Sequence, residues 1–212
     1  MALPRISARP AAAVLLAIAL GGCNVVYSDQ PLFTRADEAG APAMRPGLWL
    51  SDDAKCQFDE TKPVQRWPTC ASWSLVRAGQ FLEYKAPAWT SMDYVLAAGA
   101  PRVLQVPFTI EKATAYVYAG LKPLRSDSDG RITAVRTWSA QCGPPPPQPP
   151  PGSAAPSDGK QRSVTTQPLP GLEIKDDNCI ARDQGPVRAS VTASEAWDTT
   201  PATAHWVRDA LP

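Results

Sequence analysis

Hydrophobic and polar side chains alternate at period two along Arg102–Ile110. Leu104, Val106, Phe108 and Ile110 fall on one face, and Val103, Gln105, Pro107 and Thr109 on the other. Such alternation predicts a strand with one face in the core. Pro107 has no N–H to give to a ladder, which puts this strand at a sheet edge or a bulge. Ala113–Ala119 alternates again, with Thr114, Tyr116 and Tyr118 set against Ala115, Val117 and Ala119. Arg131–Ser139 (RITAVRTWS) predicts a further strand, and Ser126–Gly130 (SDSDG) predicts the turn before it. Asp side chains bond nearby backbone, and Gly accepts a positive φ. Ala71–Arg77 and Gln80–Ala86 predict a hairpin turning at Ala78-Gly79, and Gly47–Leu50 a short strand. Trp89–Ala98 fits both periods: Met92, Val95 and Leu96 have helical spacing, while Asp93–Val95 suits a short strand.

The pattern changes towards the C-terminus. Val187, Val191, Ser194 and Trp197 fall near one face of a helix whose first turn holds Pro186. Thr200-Pro201 predicts the cap and start of a second short helix carrying His205, Trp206 and Val207. The links between strands are turns rather than helical crossovers, which points to antiparallel pairing. The expected fold is therefore mainly β: a single antiparallel domain of six to eight strands, barrel-like or sandwich, ending in two short helices.

Two regions break the alternation. Gly143–Pro170 opens with PPPPQPPPG, which forms neither helix nor ladder and reads as extended polyproline II. It is expected as a long loop inserted in the domain, since a strand precedes it and Leu172–Lys175 follows. At the other end, Ala11–Cys23 (AAAVLLAIALGGC) is apolar but too short to span a bilayer comfortably. Arg5 and Arg9 precede it and Gly21-Gly22 close it, the arrangement of a secretory signal peptide.

Leu20-Gly21-Gly22-Cys23 resembles the lipobox of bacterial lipoprotein precursors. The resemblance implies diacylglyceryl transfer to the Cys23 thiol, cleavage after Gly22 and acylation of the new N-terminus. Stable attachment needs at least two acyl chains, which such a cysteine carries. Asn24 stands where an Asp commonly signals inner-membrane retention, so the outer membrane is expected, on its periplasmic face. The chain then divides into a signal peptide (1–22), a lipidated N-terminus and tether (23–46), and a β-rich domain (47–212) with the Pro-rich loop 143–170. The apolar pair Leu32-Phe33 in the tether is expected to be able to dock on that domain.

Removing the signal leaves 190 of the 212 residues, enough for one domain with a core. It also leaves 19 basic and 20 acidic side chains, a net charge of −1. A chain so near neutral has no global field for nucleic acid. Four cysteines remain beyond Cys23, an even number that suggests disulfides in an exported protein. Of three pairings, Cys56–Cys70 and Cys142–Cys179 are favoured, because each pair closes a segment that needs closing. The spacings are too wide for a zinc site, and His205 is the only histidine. No metal and no cofactor is expected.

Candidate chemistry is sparse. Read as a calcium loop, SDSDG would place Arg125 and Arg136 where carboxylates are required. It is expected to be a hairpin turn. His205 has no nucleophile elbow to serve and is expected to pack rather than catalyse. Asp52-Asp53 and Asp176-Asp177 are adjacent carboxylates, which diverge instead of facing one another across a substrate. Seven tryptophans are many for this length, and most are expected in the core, with Trp89 the best candidate for an exposed ligand-binding ring. The leading expectation is a membrane-anchored, non-catalytic structural or interaction module with an envelope protein or peptidoglycan as partner. A glycan- or lipid-binding module using exposed tryptophans is the alternative, and an envelope hydrolase built on scattered carboxylates is third.

Overall fold

The computed structural model describes residues 24–52, 55–85, 88–110, 113–145, 167–175, 177–198 and 201–209. Twelve strands follow in chain order: β1 (Val26–Ser28), β2 (Gly47–Ser51), β3 (Trp73–Arg77), β4 (Gln80–Lys85), β5 (Ala88–Asp93), β6 (Val95–Ala97), β7 (Arg102–Ile110), β8 (Ala113–Ser126), β9 (Ile132–Ser139), β10 (Leu172–Lys175), β11 (Asn178–Ala181) and β12 (Ala202–Arg208). One helix, α1 (Gln184–Ser194), and two short 3-10 turns complete the described elements.

All twelve strands belong to one sheet, ordered β10-β11-β1-β8-β9-β12-β2-β3-β4-β5, with β7 on the other side of β8 and β6 beyond it. Every pair is antiparallel except β1 with β11. The long strand β8 organises the rest. One edge pairs with β7 over its first nine residues, and the other meets β1 and then β9 end to end. The expected mainly β, largely antiparallel domain is therefore present. Barrel closure is not: among the described residues no ladder joins β5 to β6 or β7, although the chain runs from β5 to β6 through Tyr94 alone.

The alternation read from the sequence holds in detail. In β7, β6 reaches only as far as Gln105, so Pro107 faces a side with no ladder partner and costs no hydrogen bond there. The hairpin at Ala78-Gly79 forms as β3–β4, with Gly79 at φ +72°. At the SDSDG turn Asp127 Oδ1 accepts from Asp129 N and Arg131 N, and Gly130 takes φ +77°.

The expected second C-terminal helix is a strand instead. Residues 202–208 form β12, which fills the slot between β2 and β9. Thr203 and Val207 are β-branched, and side chains alternate. Ala204 and Trp206 join the core of one sheet face, while His205 and Val207 turn to the other. Without β12, facing edges of β2 and β9 would be unpaired in mid-sheet, a cost no short helix recovers.

The tether reading is also corrected. Val26, Phe33 and Met44 are all at most 3% exposed. Asn24 N donates to Asp177 O at 2.7 Å, Asn24 O accepts from Cys142 N at 2.9 Å, and β1 lies between β8 and β11. Residues 24–46 are thus part of the body, and Leu32-Phe33 is held by Gln105, whose side-chain oxygen accepts from both backbone N–H groups.

Three apolar clusters fill the interior. One lies on the concave face of the sheet, around Trp49, Phe81, Leu104, Leu121 and Val135. The opposite face is covered twice. Helix α1 and residues 24–33 cover one patch, burying Tyr118, Trp138, Val187 and Val191. The irregular stretch 55–70 covers the other, burying Leu48, Leu50, Val64 and Trp67. Each cover carries one disulfide, Cys142–Cys179 and Cys56–Cys70, the pairing expected from spacing.

Candidate functional site

Several residues singled out in the sequence fall outside the described residues: Cys23, Asp53, Asp176 and residues 146–166 of the Pro-rich loop. Trp89, expected in an irregular segment, sits on the free edge strand β5 and is 44% exposed. It meets Trp73 edge-on, with ring centroids 6.1 Å apart. Trp49, Trp67 and Trp138 are buried, but Trp73, Trp197 and Trp206 are only half-buried, so fewer than the expected majority lie fully in the core.

His205 does not sit on a helix. From β12 its Nδ1 contacts Asp52 Oδ1 at 2.5 Å and its Nε2 contacts Glu60 Oε2 at 3.1 Å. Burial alone pulls the imidazolium down, but the hydrogen bonds to Glu60 and Asp52 outweigh it and hold the pKa above 6.5. Two carboxylates are brought together here, which the sequence did not reveal, yet the imidazole ring lies between them. A glycosidase pair needs that space for the scissile bond or a water. Three residues further along β12, Arg208 donates to the carbonyls of Glu60, Thr61 and Lys62. Together His205 and Arg208 pin the cover 55–70 to the sheet.

The SDSDG carboxylates are likewise committed. Asp127 accepts from two backbone N–H groups of its own turn and pairs with Arg45 at 3.5 Å. Arg45 in turn stacks over Trp206, 3.7 Å from the ring centroid. Among the described residues no group of three or more His, Cys, Asp or Glu side chains is arranged to hold a metal ion.

A cleft of about 610 Å³ opens where the concave core reaches the surface. That volume is in the range of small-molecule sites. Its floor is apolar, with Met44, Tyr94 and Leu96 continuous with the core cluster. Its charged groups are Arg35, Arg102, Arg131 and a single carboxylate, Glu38. They come from the 3-10 turn Arg35–Glu38, the first residue of β7 and the residue before β9, and Ala78-Gly79 forms a further wall.

The cleft's polar groups are held in place unequally. Glu38 Oε1 accepts from Arg35 Nη1 at 2.9 Å and from Leu96 N at 2.8 Å. Arg35 also donates to Gly79 O at 2.9 Å. Arg102 is only 4% exposed and donates to the carbonyls of Pro42 and Leu96, while its Nε is buried with no partner. Burial lowers the pKa of this guanidinium, with Glu38 and Tyr94 opposing, but an arginine stays charged at neutral pH. Burial also pushes the Tyr94 phenol up to about 12, so it stays neutral. Arg131 is the least constrained: its side chain is 51% exposed, and its one carboxylate neighbour, Asp129, lies 3.8 Å away and is 65% exposed. The result is a cleft with an apolar floor, one fixed buried cation and two cations at its lip. Nothing local in the sequence marks it, since the three arginines stand at positions 35, 102 and 131.

No family model, no curated protein and no solved structure matches the chain.

Proposed function

We propose that this chain is an envelope lipoprotein, anchored through acyl chains on Cys23 to the periplasmic face of the outer membrane, whose β body is a non-catalytic interaction module. The lipobox Leu20-Gly21-Gly22-Cys23 behind a basic and apolar leader carries the reading. The two disulfides support it, because such bonds persist in an oxidising compartment. So does the build of the first residues. Asn24, directly after Cys23, is buried and hydrogen-bonded into the sheet. An anchor at Cys23 then has no linker behind it, and the body is seated at the bilayer surface rather than suspended from it. The non-catalytic reading is supported by His205, both of whose ring nitrogens are spent on holding a surface segment.

Metabolic labelling with a palmitate analogue tests the anchor. Wild type is expected to take up label in a Cys23→Ser-sensitive way and to fractionate with the outer membrane. A wild type as unlabelled as the variant overturns the reading.

A second reading, binding of glycan or lipid through exposed tryptophan, is favoured by Trp89 on the free edge strand β5, which meets Trp73 of β3 edge-on. Retention on purified peptidoglycan that falls in Trp89→Ala supports it, and no retention of wild type removes it.

A further inference from the structure

We propose that the cleft between the Arg35–Glu38 turn and the start of β7 binds a phosphate monoester carrying a small apolar group. The proposal rests on the geometry of the cleft and not on the lipid anchor. Three guanidinium groups face one carboxylate, and that carboxylate already accepts from Arg35 and from Leu96 N. The site therefore has an excess of about two positive charges, answered from outside, among the described residues, only by Asp129, 3.8 Å from Arg131 and 65% exposed. A phosphate monoester is close to a dianion at neutral pH. Its three terminal oxygens suit guanidinium forks approaching from different directions, each making charge-assisted hydrogen bonds. A monocarboxylate would answer only half of the charge.

The cations differ in role. Arg102 is fixed at the base by two carbonyls and carries an Nε–H without a partner. Buried donors of this kind are rare in folded proteins, and each calls for an explanation. Arg131 and Arg35, each 51% exposed at the side chain, stand at the lip where an entering anion meets them first. The floor of Met44, Tyr94 and Leu96 offers apolar contact to the ester substituent, and the neutral phenol of Tyr94 adds no repulsion. A soluble phosphate ester and a lipid phosphate headgroup share this chemistry.

Calorimetric titration of the full chain tests the proposal with four probes: phenyl phosphate, inorganic phosphate, phenol and dihexanoyl phosphatidic acid. Phenyl phosphate is expected to bind one-to-one, at least tenfold more tightly than either inorganic phosphate or phenol, and more weakly as salt is raised. Arg131→Gln should weaken it about tenfold, the usual scale for one charge-assisted contact. Ala43→Trp, which fills the cleft without removing charge, should abolish it, while Lys62→Gln on the opposite face leaves it unchanged. Tighter binding of the phosphatidic acid points to a lipid source, and equal or weaker binding to a small soluble ester. No saturable binding of phenyl phosphate overturns the proposal. So does binding unchanged in both Arg131→Gln and Ala43→Trp, or binding no tighter than that of phenol or of inorganic phosphate.

Discussion

The two covers on the convex face of the sheet do the same job by different physics. The cover made of α1 and residues 24–33 is apolar where it meets the sheet. Val26, Cys142, Cys179, Val187 and Val191 are each at 0% exposure, and its polar groups are satisfied internally. Trp138 Nε1 donates to Val191 O at 2.8 Å, Ser190 Oγ to Gln141 O at 2.7 Å, and Gln141 N to Ser194 Oγ at 2.9 Å. The cover made of residues 55–70 has no helix beyond one short 3-10 turn and few buried side chains. It is tied down by a disulfide, a histidine between two carboxylates, and an arginine on three carbonyls. One cover is held by packing with a covalent brace through it. The other is held by covalent and ionic ties with modest packing beneath. Stability of the first should therefore track the global fold, and that of the second should respond to local chemistry and pH.

The largest effect should come from Phe33→Ala. The ring is 1% exposed, lies 6.0 Å from Tyr118 between centroids and has the Arg188 guanidinium 4.9 Å above it. Its loss should lower global stability by about 3–5 kcal/mol, read by denaturant titration. A loss below about 1 kcal/mol would mean that residues 24–46 are not part of the packed cover.

Removing the buried brace by Cys142→Ser with Cys179→Ser should lower global stability by about 4 kcal/mol, as the chain-entropy model gives for a loop of this size. Cys56→Ser with Cys70→Ser should lower it by roughly 2 kcal/mol or less, below the ~3 kcal/mol of the same model, because that cover opens on its own first. Equal losses from the two double variants would erase the distinction drawn between the covers.

The smallest effect belongs to His205. Its folded pKa is raised, so its contribution is fully present below the unfolded value near 6.5 and is lost as pH rises through the folded value. His205→Gln should cost roughly 1 kcal/mol on the acid side of that window, since both partner carboxylates are partly solvated. It should cost less on the alkaline side, so the variant's stability should vary less with pH between the two. An undiminished pH dependence in the variant would assign it to other groups.

What was legible in the chain divides along the same line. The strands with long alternation, β7 and β9 above all, were readable because one face is in the core and the period is fixed by the pleat. The disulfide pairing was readable because each pair closes a loop. β12 was not, since Thr200-Pro201 imitates a helix start and the strand's partners, Leu48–Ser51 and Ala134–Thr137, lie far away in sequence. Tertiary pairing decides the state of such a segment more than its own propensity. β1 is three residues long and takes its identity from Tyr116-Val117 and Cys179-Ile180. The same limit hid the functional geometry. The Asp52–His205–Glu60 contact joins neighbouring residues 52 and 60 to the distant β12, and the arginine-lined cleft is assembled from several distant segments, with no local spacing to betray them.

The chain is built into the sheet from Asn24 onward, with no tether between residue 23 and the body. Native-state hydrogen exchange at the Val26 amide, which donates to Ala140 O at 2.9 Å, tests it most directly. Exchange at Val26 is predicted to need the same opening free energy as at Val135 in the centre of β9. Exchange near the rate of an unstructured chain, with Val135 still protected, would contradict it.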